Sequence, residues 1–107
     1  MKEDLGRCAT CLRKTVEFMC LSTKTPRQKL MGMTHFGGIT EADFPAGSLR
    51  DGFQAITAKL STPTEPQWMV NISAMSDEEA EQVIKQIYDL ADSVAYELGV
   101  RSRAATP

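Results

Sequence analysis

The residues with the greatest capacity for chemistry lie in the stretch GRCATCLRKTVEFMC, at positions 6–20. Cys8 and Cys11 form a C-x-x-C pair, and Cys20 follows nine residues after Cys11. Pairs with this spacing occur in zinc sites and in thioredoxin-like redox centres. A zinc site needs about four converging ligands. The sole histidine, His35, lies in a glycine-rich segment and has no adjacent partner for metal binding or catalysis.

The pattern around the cysteines is that of a helix. On a helix, Cys11 and Cys20 lie about 13 Å apart along the axis and on opposite sides, so they cannot share one metal ion. A redox C-x-x-C follows a strand, whereas the residues before Cys8 are mostly charged or small. All three cysteines still fall within the wide apolar arc of this helix, so we interpret them as small, buried apolar residues. We predict no catalytic residue, no metal site and no cofactor, and we predict that the chain is not an enzyme.

Amphipathic patterns predict the elements that position these residues. Apolar side chains occupy roughly 200° of a helical wheel between Asp4 and Ser22, which predicts a long first helix. Thr25 and Pro26 are typical of a helix start and predict a short turn or helix through Met31. Helical spacing returns at 48–60, with Ser48 and Asp51 as a capping pair. It returns again from a cap at Ser76 to Leu98, and Gly99 is predicted to end that helix.

One segment has a different period. Trp68, Val70, Ile72 and Ala74 alternate with more polar residues, which predicts a half-buried strand at 67–73. The predicted fold class is therefore α+β and helix-dominated, with two long amphipathic helices, a middle helix and one short strand. The alternative is a small antiparallel sheet of strands at 31–36, 53–60 and 67–73, packed on the two long helices. The pair Asp51-Gly52 is a turn signal that keeps this alternative open.

The length predicts one domain. With 107 residues, of which 42% are hydrophobic, the chain has material for a single modest core. We predict a globular domain at 1–98 and a flexible tail at 99–107. A chain of this size buries only about two-thirds of its unfolded surface, so a second copy would add stability. We therefore predict a homodimer.

The charge is distributed unevenly along the chain. The formal net charge is −2 and the pI is near 5.3, which argues against a dedicated nucleic-acid-binding protein. Residues 1–31 carry seven Lys or Arg and three acids, a net of +4, whereas residues 76–98 carry seven acids and one Lys, a net of −6. The two ends of the chain therefore differ in charge.

This pattern favours a non-enzymatic interaction module that regulates or inhibits another protein by binding it. The last helix presents the predicted partner-binding residues: Glu78, Glu81, Lys85, Asp89, Asp92 and Tyr96. The alternative is a nucleic-acid-associated regulator that uses a basic face. That face consists of Arg7, Arg13, Lys14, Lys24, Arg27 and Lys29.

The cellular compartment is also predicted from the sequence. The first residues do not resemble a secretory signal, and no apolar run approaches the roughly 20 residues of a membrane helix. An odd number of cysteines, three, suits a reducing compartment better than a disulfide scaffold. We predict a cytoplasmic protein that does not enter a membrane.

Overall fold

Five α-helices and two short 3-10 turns account for the architecture of the described residues. The computed structural model describes residues 3–33, 35–62, 64–65 and 67–104. The helices are α1 (Leu5–Leu21), α2 (Pro26–Gly32), α3 (Ser48–Leu60), α4 (Trp68–Ala74) and α5 (Asp77–Ala104), and the 3-10 turns are His35–Gly38 and Glu41–Asp43. None of these helices is both long and apolar enough to cross a membrane.

Local hydrogen bonds fix where three of the helices begin. The Asp4 carboxylate accepts from the backbone N–H of Arg7 at the start of α1. Thr25 and Gln28 form a reciprocal capping box at α2, with Pro26 in the first turn. Such caps satisfy N–H groups that have no partner inside the helix. The helix starts predicted at Asp4, Thr25 and Ser76 are thus confirmed.

The long α5 is the central element, because α1, α2 and α3 all pack against it. It runs antiparallel to α1: the Glu3 carboxylate meets the Arg101 guanidinium at one end, and Cys20 meets Tyr88 at the other. The buried residues form one core, to which every helix contributes. Its fully buried members include Leu12, Met19, Leu30, Ile56, Leu60, Ile72, Val83, Ile87 and Val94.

An aromatic cluster anchors the glycine-rich segment to this core. The buried ring of Phe36 meets Phe53 and Trp68 edge-on, with centroids 5.5 and 5.6 Å apart. Phe44 stacks on Phe53 at 4.6 Å. Phe36 adopts a left-handed backbone with φ 55°, a conformation that costs a non-glycine residue about 1 kcal/mol. Burial of the ring offsets this strain, so the segment is folded against the helices.

The predicted strand at 67–73 is wrong, because these residues form helix α4. No described residue lies in a strand and the structure is all-helical, so both the α+β class and the alternative sheet are contradicted. The alternation in sequence also contains helical spacing. Trp68, Ile72 and Met75 point inward at intervals of four and three, whereas Met69 and Val70 are 55% and 47% exposed. Even a seven-residue helix pairs some of its backbone groups internally, whereas a lone strand pairs none without a partner.

The other two segments of the alternative sheet are helical as well. Residues 53–60 lie in α3, so the helical interpretation of that segment is confirmed. The segment 31–36 consists of the end of α2 and the start of a 3-10 turn, with position 34 outside the described residues. Two boundary predictions also differ from the structure. The cap of α3 is Gly47 rather than Ser48, and α5 continues through Gly99 to Ala104.

Candidate functional site

The three cysteines have three different environments. Cys8 is fully buried in the core, as predicted. Cys11 is half-buried and faces Gly37 so closely that a Cβ on that glycine would lie 2.9 Å from the Cys11 Sγ. Cys20 is exposed, contrary to the prediction, and its thiol donates to the Tyr88 hydroxyl at 3.6 Å. In the described part of the chain, no three His, Cys, Asp or Glu side chains are grouped as metal ligands.

The raised pKa values of Cys8 and Tyr88 predict a loss of stability at high pH. Burial, reinforced by the carboxylates of Asp43 and Asp4, raises the pKa of Cys8 from 9.0 to about 12. Burial and the contact with Cys20 raise the pKa of Tyr88 from 10.0 to about 12. The unfolded chain therefore releases these protons at a lower pH than the folded chain, so the free energy of unfolding falls as pH rises from about 9 to 12.

Denaturant unfolding at a series of pH values measures this dependence. The double variant Cys8→Ala, Tyr88→Phe is expected to show a shallower decline above pH 9 than the wild type, whatever its stability at pH 7. Neither group titrates below pH 8 in the folded or the unfolded state. Below pH 8 the free energies of unfolding of the two proteins should therefore change with pH in parallel. An unchanged slope between pH 9 and 11 would contradict the assignment.

The residues predicted to bind a partner form one continuous acidic ridge on α5. We use this name for Glu78, Glu81, Lys85, Asp89, Asp92 and Tyr96. Their spacing of three and four places them on one side of the helix, and all six are exposed. The ridge is about 27 Å long at 1.5 Å per residue. Tyr96, 70% exposed, lies near its carboxyl end.

The charges of the ridge are not neutralised within the molecule. Among the described residues, no ion pair or side-chain hydrogen bond reaches any of its six members. Lys85 lies between Glu81 and Asp89 at helical spacing, but it is not within ion-pair distance of either. A stretch of unpaired carboxylates attracts cations and basic surfaces. The ridge can therefore receive positive charge from outside the chain.

A groove of about 770 Å³ runs beside the ridge, between α1 and α5. We call it the α1–α5 groove. Arg13, Glu17 and Asp92 are its charged residues, and Arg13 forms an ion pair with Glu17 at 3.5 Å. The rest of its surface is mainly small or apolar, with Gly6, Ala9, Val16, Ala91, Ala95 and Leu98 among the lining residues.

The structure does not bring the six predicted basic residues together on one face. Arg7 is near Gly38, and Lys14 follows it two turns later on the same side of α1. Arg13 lies on the other flank, in the α1–α5 groove. Arg27 donates to the backbone carbonyl of Met75, and Lys24 and Lys29 lie near or in α2. The nucleic-acid alternative stays a prediction from the sequence.

Sequence reasoning missed the groove. Helical spacing places Ala91, Ala95 and Leu98 on the apolar side of α5, where burial is expected, yet Ala95 is exposed and Leu98 is 36% exposed. One signal was present: the apolar arc of α1 spans roughly 200°, about twice the stripe that a helix needs to cover one core. The excess apolar surface forms the wall of the groove.

The side chain of His35 lies outside the described part of the structure.

The fold and these surfaces define a small all-helical domain with a groove between its two long helices and a row of exposed acids next to it. No protein-family model matches the chain, and no curated protein or solved structure matches it either. The functional argument therefore rests on the chain's own surfaces.

Proposed function

We propose that this chain is a small non-enzymatic protein-interaction module that regulates or inhibits another protein by binding it. The acidic ridge of α5 is the binding surface, and the partner has a basic surface that matches it. The observation that carries the proposal is that the six ridge residues are exposed, aligned and without polar partners among the described residues.

The chemistry of the ridge favours a protein partner. Tyr96 offers a large exposed ring beside carboxylates, and tyrosine is enriched at the centres of protein interfaces. A recess of about 470 Å³ lies next to it, lined by Leu49, Asp92 and Ser93 among others. A side chain of the partner can enter this recess while its Lys or Arg residues contact the ridge. Complementary charge of this kind contributes to the association rate and to specificity.

Self-association and a cytoplasmic location are further parts of the proposal. A second copy supplies contact area that a domain of 107 residues lacks by itself. The exposed thiol of Cys20 stays reduced in a reducing compartment. A dimer would present two acidic ridges to its target.

Neutralising the ridge is expected to abolish partner capture. The test variant is Glu78→Gln, Glu81→Gln, Asp89→Asn, which removes three charges and keeps the side chains' shape. The matched control removes three acids elsewhere: Glu41→Gln, Asp51→Asn, Glu65→Gln. Each immobilised protein is incubated with lysate of the native host, and the captured proteins are identified by mass spectrometry.

The wild type and the control should capture the same protein, and the ridge variant should not. Capture should also weaken between about 0.05 and 0.5 M salt, because exposed charges are screened over about 8 Å at physiological ionic strength. If the ridge variant retains the same partner at the same yield, the ridge is not the binding surface.

A further inference from the structure

The α1–α5 groove leaves apolar surface uncovered on the two longest helices of the domain. Ala95 is exposed within it, and Leu98 is 36% exposed at its edge. Small side chains on both walls permit another helix to approach closely, since helices pack at 8–10 Å according to the side chains between them. The groove is therefore shaped for a helical occupant.

We propose that the occupant is a second copy of this chain, and that the two copies form a four-helix bundle in which α1 of each packs against α5 of the other. This inference rests on the proposed self-association and names its interface. The acidic ridge, which points away from the core next to the groove, stays largely open to a different protein.

The positions of charge along the groove specify this arrangement. Contacts of Glu3 with Arg101 and of Cys20 with Tyr88 mark the two ends of the antiparallel α1–α5 pair. Arg13 and Asp92 both line the groove. Counted along the helix pair from the Glu3–Arg101 contact, they lie at nearly the same height, a little past the middle. A two-fold axis along the groove keeps every residue at its own level. It therefore places Arg13 of each copy opposite Asp92 of the other, so the pair forms twice.

Arg13 is suited to such a contact. Its ion pair with Glu17 is long, at 3.5 Å, and both side chains are mostly exposed. In this i,i+4 pair the cation precedes the acid along the helix, and this order stabilises a helix less than the reverse order does. A guanidinium has five N–H donors, so Arg13 can keep Glu17 and also contact Asp92 of the second copy.

The other simple two-fold arrangement is disfavoured by charge. An axis across the groove would pack α5 of one copy against α5 of the other. It would bring together two helices that carry the same acidic ridge, including Asp89 and Asp92. Like charges placed opposite one another across an interface are strongly unfavourable. Pairing of α1 with α5 instead combines the basic end of the chain with its acidic end.

The area of the face is sufficient for a dimer of moderate strength. The 17 residues of α1 span about 26 Å at 1.5 Å per residue, and two packed helices are about 20 Å wide. Two such faces bury roughly 1,000 Å², which is near the lower limit for a specific interface. We therefore expect association in the micromolar range.

A charge exchange tests the interface. Sedimentation velocity of the wild type between about 1 and 200 µM is expected to show a monomer–dimer equilibrium. Arg13→Asp and Asp92→Arg should each weaken the dimer about 10- to 100-fold, because each change places like charges together twice. The double variant R13D/D92R should restore the dimer. The neighbouring Lys14→Asp, outside the groove, should leave the dimer constant unchanged.

Ala95→Arg tests the same groove without removing an internal contact, since Ala95 is exposed. It should abolish the dimer and leave the circular dichroism spectrum unchanged. A wild type that is monomeric at 200 µM would overturn both the inference and the proposed self-association. A dimer that survives Ala95→Arg, or single variants that the double variant does not rescue, would overturn the interface alone. Partner capture by the ridge is measured separately, so neither outcome decides it.

Discussion

Phe36→Ala is expected to lower the free energy of unfolding by about 3–5 kcal/mol, because it removes a fully buried ring. That ring holds two others, Phe53 and Trp68, in edge-on contact. Typical domains have only 5–15 kcal/mol of stability in total. The change would therefore remove a large share of it, and thermal unfolding should shift by roughly 4–8 °C for each kcal/mol.

A second substitution at the same position separates the ring from the backbone. At φ 55°, alanine carries a strain of about 1 kcal/mol that glycine avoids. Phe36→Gly should therefore be as stable as Phe36→Ala or more stable, the reverse of the usual order. Denaturant unfolding of both variants measures this difference. Leu21→Ala, at a residue that is 85% exposed, is the control and should change stability by less than about 0.5 kcal/mol.

Asn71→Leu has the second largest expected effect, a loss of about 2 kcal/mol. The Asn71 amide donates to the backbone carbonyls of Leu60 and Glu65, both at 2.7 Å, and to that of Gln67 at 3.3 Å. It thereby connects the end of α3 to the segment before α4. Leucine has a similar volume but no hydrogen-bond donor, so these partly buried carbonyls lose their partner. We expect the loss of these hydrogen bonds to cost about 1–3 kcal/mol in total.

Equilibrium unfolding in urea measures this effect. Ser73→Ala is the matched control, because Ser73 is exposed on the same helix and its hydroxyl donates to the carbonyl of Met69, within α4. It should change stability by less than about 0.5 kcal/mol. Equal stabilities of Asn71→Leu and the wild type would show that water replaces the lost donor.

The long helices could be predicted because their patterns repeat over many residues. The apolar stripes of α1 and α5 persist for several turns, and their caps at Asp4 and Ser76 are coded locally. The order of residues on α5 also placed the acidic ridge on one face without knowledge of the fold. Helical spacing alone decides which side chains share a face.

The short elements could not be predicted in the same way. In α4, seven residues are compatible with both a two-residue and a helical period, and the environment of the segment decides between them. Its helical form is stabilised by Trp68 against Phe36 and by Asn71 against the end of α3. These contacts join positions far apart in the chain or depend on a loop conformation, so no local pattern contains them.

The sequence by itself determined the two long amphipathic helices, the starts of three helices and the alignment of Glu78 to Tyr96 along α5, because each depends on interactions within a few residues. Tertiary structure decided the class of the fold, the exposure of Cys20 and Ala95, and the existence of the α1–α5 groove. A wheel shows which side of a helix is apolar, but how much of that side is covered depends on the other helices. Here α1 and α5 cover only part of each other, and the uncovered remainder forms the α1–α5 groove.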